Sequence, residues 1–303
     1  MSRAPYRFLG QRFACIASAI VFVVVASAAA EADELVERGA YLAAAGGCIG
    51  CHTDVAGKGP AFAGGRALVT PMGTFYGPNI TPDPVHGIGA WSEADFLGAL
   101  RHGIGQGGVN LYSAFPYPSF TGITDEDAKA IKAYLFSLSA VAQASKPHAL
   151  RFPFNLRILM RVWNWFYFKA GPFKPDATRP PEWNRGAYLV EALGHCAECH
   201  TPRGILGALD RGKAFSGTRD GPDRKVVPNI TPDPETGIGK WSEADLTYFL
   251  ETGIDPDGDV TGSVMGEVVK NGTSRLSADD RRAVAAYLRA LPPIAHRVDR
   301  KTK

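Results

Sequence analysis

Five residues occur twice in this chain of 303: Cys48-Ile49-Gly50-Cys51-His52 and Cys196-Ala197-Glu198-Cys199-His200. Two thiols three residues apart with an imidazole next door narrow the chemistry sharply. C-x-x-C-H is the attachment signature of c-type haem. The thiols become thioethers on the two vinyl groups of one porphyrin, and the histidine is then held under the iron as its proximal ligand. Two disulfides or a zinc site are the competing readings of four cysteines. Zinc fits worst, because each cluster offers two thiolates and a histidine that cannot easily reach the same ion from the adjacent position. A thioredoxin-like redox pair would need a βαβ pattern, which is not found around either motif.

The amino terminus differs from the rest. Arg3, Arg7 and Arg12 form a positive region, and Phe13 to Ala30 carries no charge and ends in Ala28-Ala29-Ala30. This reads as a secretory signal peptide over residues 1–30. A retained anchor is the alternative, since about 18 uncharged residues can just span a bilayer. Cys15 has no apolar run before it and does not read as a lipidation site. The whole chain has 33 Lys and Arg against 30 Asp and Glu; without the three leader arginines the balance is 30 to 30. There is no basic footprint for nucleic acid. The four motif cysteines are then the only ones left.

The halves are copies of each other. Pro78-Asn79-Ile80-Thr81-Pro82-Asp83-Pro84 recurs at Pro228 to Pro234, and 15 of 18 positions match through Asp95 and Asp245 at an offset of 150. Arg38-Gly39-Ala40-Tyr41-Leu42 recurs at offset 147, and Ala133-Tyr134-Leu135 at offset 153. Each copy reads as helix, haem motif, long Gly/Pro-rich loop, helix, loop, helix. Ser92 with Asp95 and Ser242 with Asp245 predict capping boxes at the middle helix. Thr124 and Ser277, each followed by acidic residues, start the last helix. Val284, Tyr287, Leu288 and Leu291 share one face of it, as do Ala128, Ile131, Leu135 and Leu138 in the first copy. Three helices with long loops bury little alone, and the porphyrin supplies the missing apolar core. The predicted class is all-α, with tandem domains at 34–141 and 183–292, a bridging segment at 142–182 and a polar tail at 293–303.

The bridge resembles neither copy. Between Pro153 and Pro172 runs Leu156 to Phe168, rich in aromatic residues and, as a helix, apolar nearly all round except for a stripe of Arg157, Arg161 and Asn164. Burial against both domains is the plain expectation. A docking surface for a membrane or a larger subunit is the functional one.

A low-spin electron-transfer haem needs a second axial ligand, usually a methionine thioether. Only Met72, Met160 and Met265 follow the leader. Met265 lies in the loop before the last helix, where such a ligand belongs; the competing role is a core gap-filler. The first copy does not repeat it. Trp241 to Met265 is 24 residues, and 24 residues after Trp91 stands Phe115, which cannot bind iron. Tyr112 is the only side chain between Leu111 and Pro118 with a ligating atom. Met160, Met72 and His102 are the remaining candidates; His102, at an apolar helix end, reads as structural. The first haem therefore has either an open site or an imported ligand, with Met160 slightly ahead of Met72.

The chain resembles the cytochrome c subunits that accompany periplasmic dehydrogenases, among them those of membrane-bound quinoprotein alcohol dehydrogenase and the partners of molybdenum hydroxylases. The resemblance rests on Arg-Gly-Ala-Tyr-Leu before each motif and on Asn79-Ile80-Thr81-Pro82-Asp83 with Gly87-Ile88-Gly89. Leu111 to Pro118, Phe152-Pro153-Phe154-Asn155 with Trp163-Asn164, and Gly194 to Arg203 carry it further. It covers nearly all of residues 35–292. It implies two tandem cytochrome c domains joined by an aromatic-rich bridge, two covalently bound haem c groups, and a dehydrogenase partner. The alcohol dehydrogenase subunits look like three-haem proteins, whereas this chain has two motifs, and they carry Met where it has Phe115.

The function so implied is a diheme electron carrier between a periplasmic dehydrogenase and a downstream cytochrome, quinone or oxidase, in association with the membrane or free in the periplasm. It needs no acid–base residue; it must hold the haems close, exclude water and set their potentials. The alternative is a haem enzyme, peroxidase-like or sulfur-compound-oxidising, acting at an open first haem. That chemistry would want a polar distal group for proton transfer, and Phe115, Pro116 and Pro118 make the pocket read as dry.

Overall fold

The computed structural model describes residues 31–298; the leader reading falls on residues outside them. In each copy the first helix crosses the last. Helix α1 (31–45) crosses α5 (Asp125–Ser137), and α7 (Pro181–Ala187) crosses α11 (Ala278–Arg289). The crossings are close because of glycine: a Cβ on Gly39 would lie 1.9 Å from the Ala130 carbonyl oxygen, and one on Gly186 would lie 1.9 Å from that of Ala283. Middle helices α3 (Glu93–His102) and α9 (Glu243–Thr252) both start with the expected reciprocal capping boxes, Ser92/Asp95 and Ser242/Asp245. Thr124 and Ser277 likewise cap α5 and α11 by accepting from Asp127 N and Asp280 N.

The changing offset between copies has a structural cost at each step. From the Arg-Gly-Ala-Tyr-Leu block to the motif the second copy is one residue longer. That residue is absorbed by a π-helical turn over Tyr188–Leu193, which prolongs α7. Between Gly64 and Pro78 the first copy is instead three residues longer than between Gly217 and Pro228. The extra length is a hairpin, β1 (Ala67–Thr70) against β2 (Gly73–Tyr76), turning at Pro71-Met72.

The chain is mostly helical, but the all-α expectation misses these strands. β2 also pairs with β5 (Ala149–Leu150) from the bridge, and β3 (Ile104–Gly105) pairs with β4 (Val109–Asn110). Strands of two to four residues are too short to leave a period-2 signature.

The domains meet about a pseudo-twofold exchange of hydroxyls. Tyr188 of the second copy donates to Asp127 Oδ2 of the first at 2.5 Å, and Tyr41 of the first donates to Asp280 Oδ2 of the second at 2.6 Å. Each aspartate also takes the arginine of its own first helix, Arg38 on Asp127 and Arg185 on Asp280.

The bridge corrects its expectation. Its helix α6 (Leu159–Tyr167) is not buried against both domains. Met160 is 9% exposed, but Trp165 is 81% exposed and Phe152, ahead of the helix, 79%. Two residues of the polar stripe face inward. Asn164 Oδ1 accepts from the Tyr117 hydroxyl at 2.5 Å, and Arg157 donates to the Asn110 carbonyl while lying over the Tyr112 ring. These polar groups anchor the segment to backbone and hydroxyl partners, which leaves part of its apolar surface outward. Trp163 Nε1 donates to the Leu206 carbonyl and so ties the bridge to the second domain.

Candidate haem sites

Both C-x-x-C-H motifs sit on short helices, α2 (Cys48–Cys51) and α8 (Ala197–His200), where the first helix of each domain ends. A single turn of helix puts the two thiols of a motif on neighbouring positions and turns the following histidine inward. Burial pushes the Cys48 and Cys196 thiols up to about 12 and Cys199 up to about 11. Among the described residues no group of three or more His, Cys, Asp or Glu side chains could hold a metal ion, and the four cysteines are unpaired. The zinc and disulfide readings find no support there.

Each motif histidine is held the same way. His52 Nδ1 lies 2.7 Å from the Pro78 carbonyl oxygen, and His200 Nδ1 lies 2.8 Å from that of Pro228. A carbonyl only accepts, so Nδ1 carries the proton and Nε2 keeps a free lone pair. This is the tautomer a proximal ligand needs, and the hydrogen bond fixes the ring plane and raises its basicity as a ligand. Burial lowers the pKa of both imidazoles and so favours the neutral form.

The proline carbonyls are positioned by the repeated Pro-Asn-Ile-Thr-Pro-Asp-Pro stretch. Asn79 Oδ1 accepts from both Thr81 N and Thr81 Oγ1, and its Nδ2 donates to the Val141 and Gln143 carbonyls. Asn229 makes the same pair of bonds to Thr231, and its Nδ2 donates to the Ile294 carbonyl. The chain after each last helix thus returns as a strap over the histidine-holding loop, with Val141 N and Ile294 N both donating to the loop threonine. Residues 294–296, expected as polar tail, are part of this strap in the second copy. Gly64 (φ +81°) and Gly217 (φ +82°) pass so close beneath that a Cβ would lie within 2.7 Å of the Pro-Asn peptide.

The spacing of C-x-x-C-H names the histidines but not what holds them. Pro78, Asn79, Pro228 and Asn229 were visible only as a repeat, which signals a shared constraint without its role.

Both motifs open on one continuous cavity of about 1680 Å³. That exceeds the range of about 300–1,000 Å³ of a single-ligand pocket. Its walls include Ile88, Leu100, Leu135, Ile238, Leu250 and Leu288, buried apolar residues contributed by both domains. The residues present therefore fit two porphyrins: an apolar cavity of double size, two thiols at each entrance, and one imidazole nitrogen free in each half. The motifs also approach each other, with His195 Nε2 lying 3.2 Å from the Gly46 carbonyl oxygen. His195 immediately precedes Cys196, and Gly46 lies two residues before Cys48.

The methionines divide. Met265, in the first turn of α10 (Ser263–Asn271), is half-buried and lines the cavity. Met160 and Met72 also line it, but Met160 is packed in a small cluster with Phe75 and Tyr112, backed by Leu68 and Leu150. The Met72 thioether lies against Gly207 of the second domain. His102 does not line the cavity. His148, to which no sequence motif points, does; its Nδ1 accepts from Tyr76 N, and its ring packs edge-on to Tyr112.

Comparison with known proteins agrees with this geometry. The cytochrome c family profile matches residues 36–139 and again 184–292. A protein named diheme cytochrome c-type from Cereibacter sphaeroides is 43% identical over 261 residues, covering 85% of this chain and 86% of its own length. A nicotinate dehydrogenase subunit from Pseudomonas putida is 44% identical over 263 residues, 85% of this chain but 21% of that protein. The cytochrome c subunit of a quinone-dependent alcohol dehydrogenase from Gluconacetobacter polyoxogenes is 42% identical over 268 residues, 86% of this chain and 56% of the relative. The chain thus spans little more than half of the alcohol dehydrogenase subunit and about a fifth of the nicotinate dehydrogenase one. Two matched domains, each built around its own attachment motif and opening on a two-porphyrin cavity, place this chain in the cytochrome c family, as a member carrying two covalently bound haem c groups.

Proposed function

We propose that the protein is an exported electron carrier, taking electrons from a dehydrogenase subunit and passing them to a downstream cytochrome, quinone or oxidase. The haems supply reversible one-electron chemistry when bound. Cys48, Cys51, Cys196 and Cys199 attach them, His52 and His200 hold the irons in the neutral tautomer fixed by the Pro78 and Pro228 carbonyls, and Met265 is the second ligand of the second haem. The observation that carries this reading is the pairing of two identically held imidazoles on one continuous cavity. A carrier needs two redox centres within one apolar interior, held rigidly enough that little reorganises on reduction.

The relatives named as dehydrogenase subunits support the choice of donor. The outward surface of α6, with Trp165 at its centre, is a further apolar face available to a partner subunit or a membrane surface. Among the described residues no helix is long and apolar enough to cross a membrane. Residues 1–30 act as the export signal in this reading, which leads to the compartment where c-type haem is attached.

The test is recovery of the tagged holoprotein from the periplasm and membranes. A co-purifying dehydrogenase whose substrate reduces both haems within the complex is the expected result. A chain recovered with no such partner, whose haems no dehydrogenase substrate reduces, would refute it.

A further inference from the structure

The structure extends the matched register of the two copies to within four residues of Phe115 and Met265. Leu111 N donates to the Gly103 carbonyl at 2.7 Å, and Thr261 N donates to the Gly253 carbonyl at 2.7 Å. The strand pairs just before agree, Ile104 with Asn110 and Ile254 with Val260. All these pairs keep the offset of 150. Four residues further on stand Phe115 and Met265, both half-buried and both lining the cavity. Beyond this point the copies take different courses, α10 starting at Ser263 and running for nine residues and α4 (Tyr117–Phe120) starting later and running for four, and the three extra residues of the second copy fall between Thr261 and the cap at Ser277.

Counted from the last matched pair, Phe115 stands at the position of Met265, with a ring that has no donor atom. Its neighbours do not replace it. Phe120 packs on Phe115 with ring centroids 5.5 Å apart, and the backbone turns at Pro116. Tyr112 is held in the cluster with Phe75, under the Arg157 guanidinium at 4.6 Å. Met160 is buried in that same cluster against residues of the hairpin, and Met72 reaches across to Gly207. The Nδ1 of His148 accepts a backbone N–H, so its Nε2 bears the proton and offers no lone pair to a metal.

We infer that the first haem is ligated by the protein on one side only, through His52, and that its other side, walled by Phe115, takes a small neutral diatomic ligand such as carbon monoxide or nitric oxide. This rests on the two-haem reading above. Neutrality follows from the wall: an anion entering beside phenylalanine would lose its hydration with no donor in return, whereas a diatomic gas carries little hydration to lose. The inference concerns binding alone and assigns no reaction to the site.

Carbon monoxide titration of the dithionite-reduced holoprotein is the direct test, after intact mass has established two haems per chain. The expected uptake is one carbon monoxide per chain, with one high-spin and one low-spin ferric signal in electron paramagnetic resonance. Phe115→Met puts a thioether in the position of Met265; uptake should fall more than tenfold and the high-spin signal should become low-spin. Met265→Ala should raise uptake to two per chain and remove the near-infrared sulfur-to-iron band. Met160→Ala and Met72→Ala should leave uptake at one. A wild-type protein with two low-spin haems and no uptake overturns the inference, as does uptake that appears only in Met160→Ala or Met72→Ala, since the ligand is then imported. Two per chain in the wild type also overturns it, because the copies are then alike. Fewer than two haems by mass would fail the two-haem reading instead, and so separates the two failures.

Discussion

The pseudo-twofold exchange of tyrosines predicts an asymmetry that the symmetry of the pairing conceals. Both tyrosines donate to a buried aspartate across the domain boundary, yet the two aspartates are not equally provided for. Asp127 receives both Arg38 contacts on Oδ1, at 3.0 and 2.6 Å, so Oδ2 has Tyr188 as its side-chain donor. Asp280 receives Arg185 on both oxygens, Nε on Oδ1 at 2.8 Å and Nη2 on Oδ2 at 2.7 Å, and Tyr41 adds a second donor to Oδ2. Removing the Tyr188 hydroxyl leaves a carboxylate oxygen of a residue only 3% exposed without that donor. Removing the Tyr41 hydroxyl leaves Oδ2 still bonded. A hydrogen bond to a charged group contributes about 1.5–3 kcal/mol, and the loss is largest where a buried partner is orphaned. Tyr188→Phe should therefore cost about 2–3 kcal/mol and Tyr41→Phe about 1 kcal/mol. Urea unfolding of the oxidised holoprotein, followed by far-ultraviolet circular dichroism and by the Soret band, measures both by linear extrapolation. The double variant should also split one transition into two, because the domains lose a shared restraint. Equal losses in the two single variants, or a loss under about 0.5 kcal/mol for Tyr188→Phe, would contradict this account of the two carboxylates.

Two other expectations concern stability. Gly39→Ala and Gly186→Ala should each cost about 3 kcal/mol or more, since the added carbon meets a helix carbonyl of the opposing backbone rather than a side chain that can move; thermal melts that agree with wild type would contradict the close crossing. Burial pushes the Asp280 carboxyl up, but its bonds from Arg185 and Tyr41 outweigh this and hold it below the usual range. Its stabilisation is thus present above the unfolded value of about 3.9 and is lost as pH falls through the lower folded value. Asp280→Asn should accordingly flatten the fall in unfolding free energy between about pH 5 and pH 3; an unchanged slope would exclude the linkage.

The local features were legible because local rules produce them. Ser92/Asp95 and Ser242/Asp245 are read from four residues, whereas Gly39 and Gly186 showed only as part of a repeated pentapeptide and not as the points where helices cross. The haem motifs need only five residues. What stayed hidden involves partners far apart in the chain or strands too short for a period. The Tyr41–Asp280 pair spans 239 positions. β5 joins its sheet from beyond the first domain's last helix. The polarity of α6 was visible but its direction was not. A stripe of Arg157 and Asn164 normally means the solvent side, and here it meets the Asn110 carbonyl and the Tyr117 hydroxyl. Hydrogen-bonding demand on the domain surface, not water, determined which way the helix turned.

The same comparison bears on the direction of electron flow. The two sites are held on their histidine sides with near-identical geometry, 2.7 Å to Pro78 and 2.8 Å to Pro228. Ligand basicity from that side therefore contributes little to any difference between the haems. On the ligand sets proposed above, the difference lies on the opposite side, where one copy has Met265 and the other Phe115. On those sets only the second haem has a thioether, a ligand that raises the potential, and it is the expected electron acceptor of the pair. The hydrogen bond from the His195 side chain to the Gly46 carbonyl ties the residue before one motif to the backbone just ahead of the other, which brings the two attachment sites together. Duplication in this protein kept the residues that hold each motif histidine, and on the ligand sets proposed above the copies differ at Phe115 and Met265.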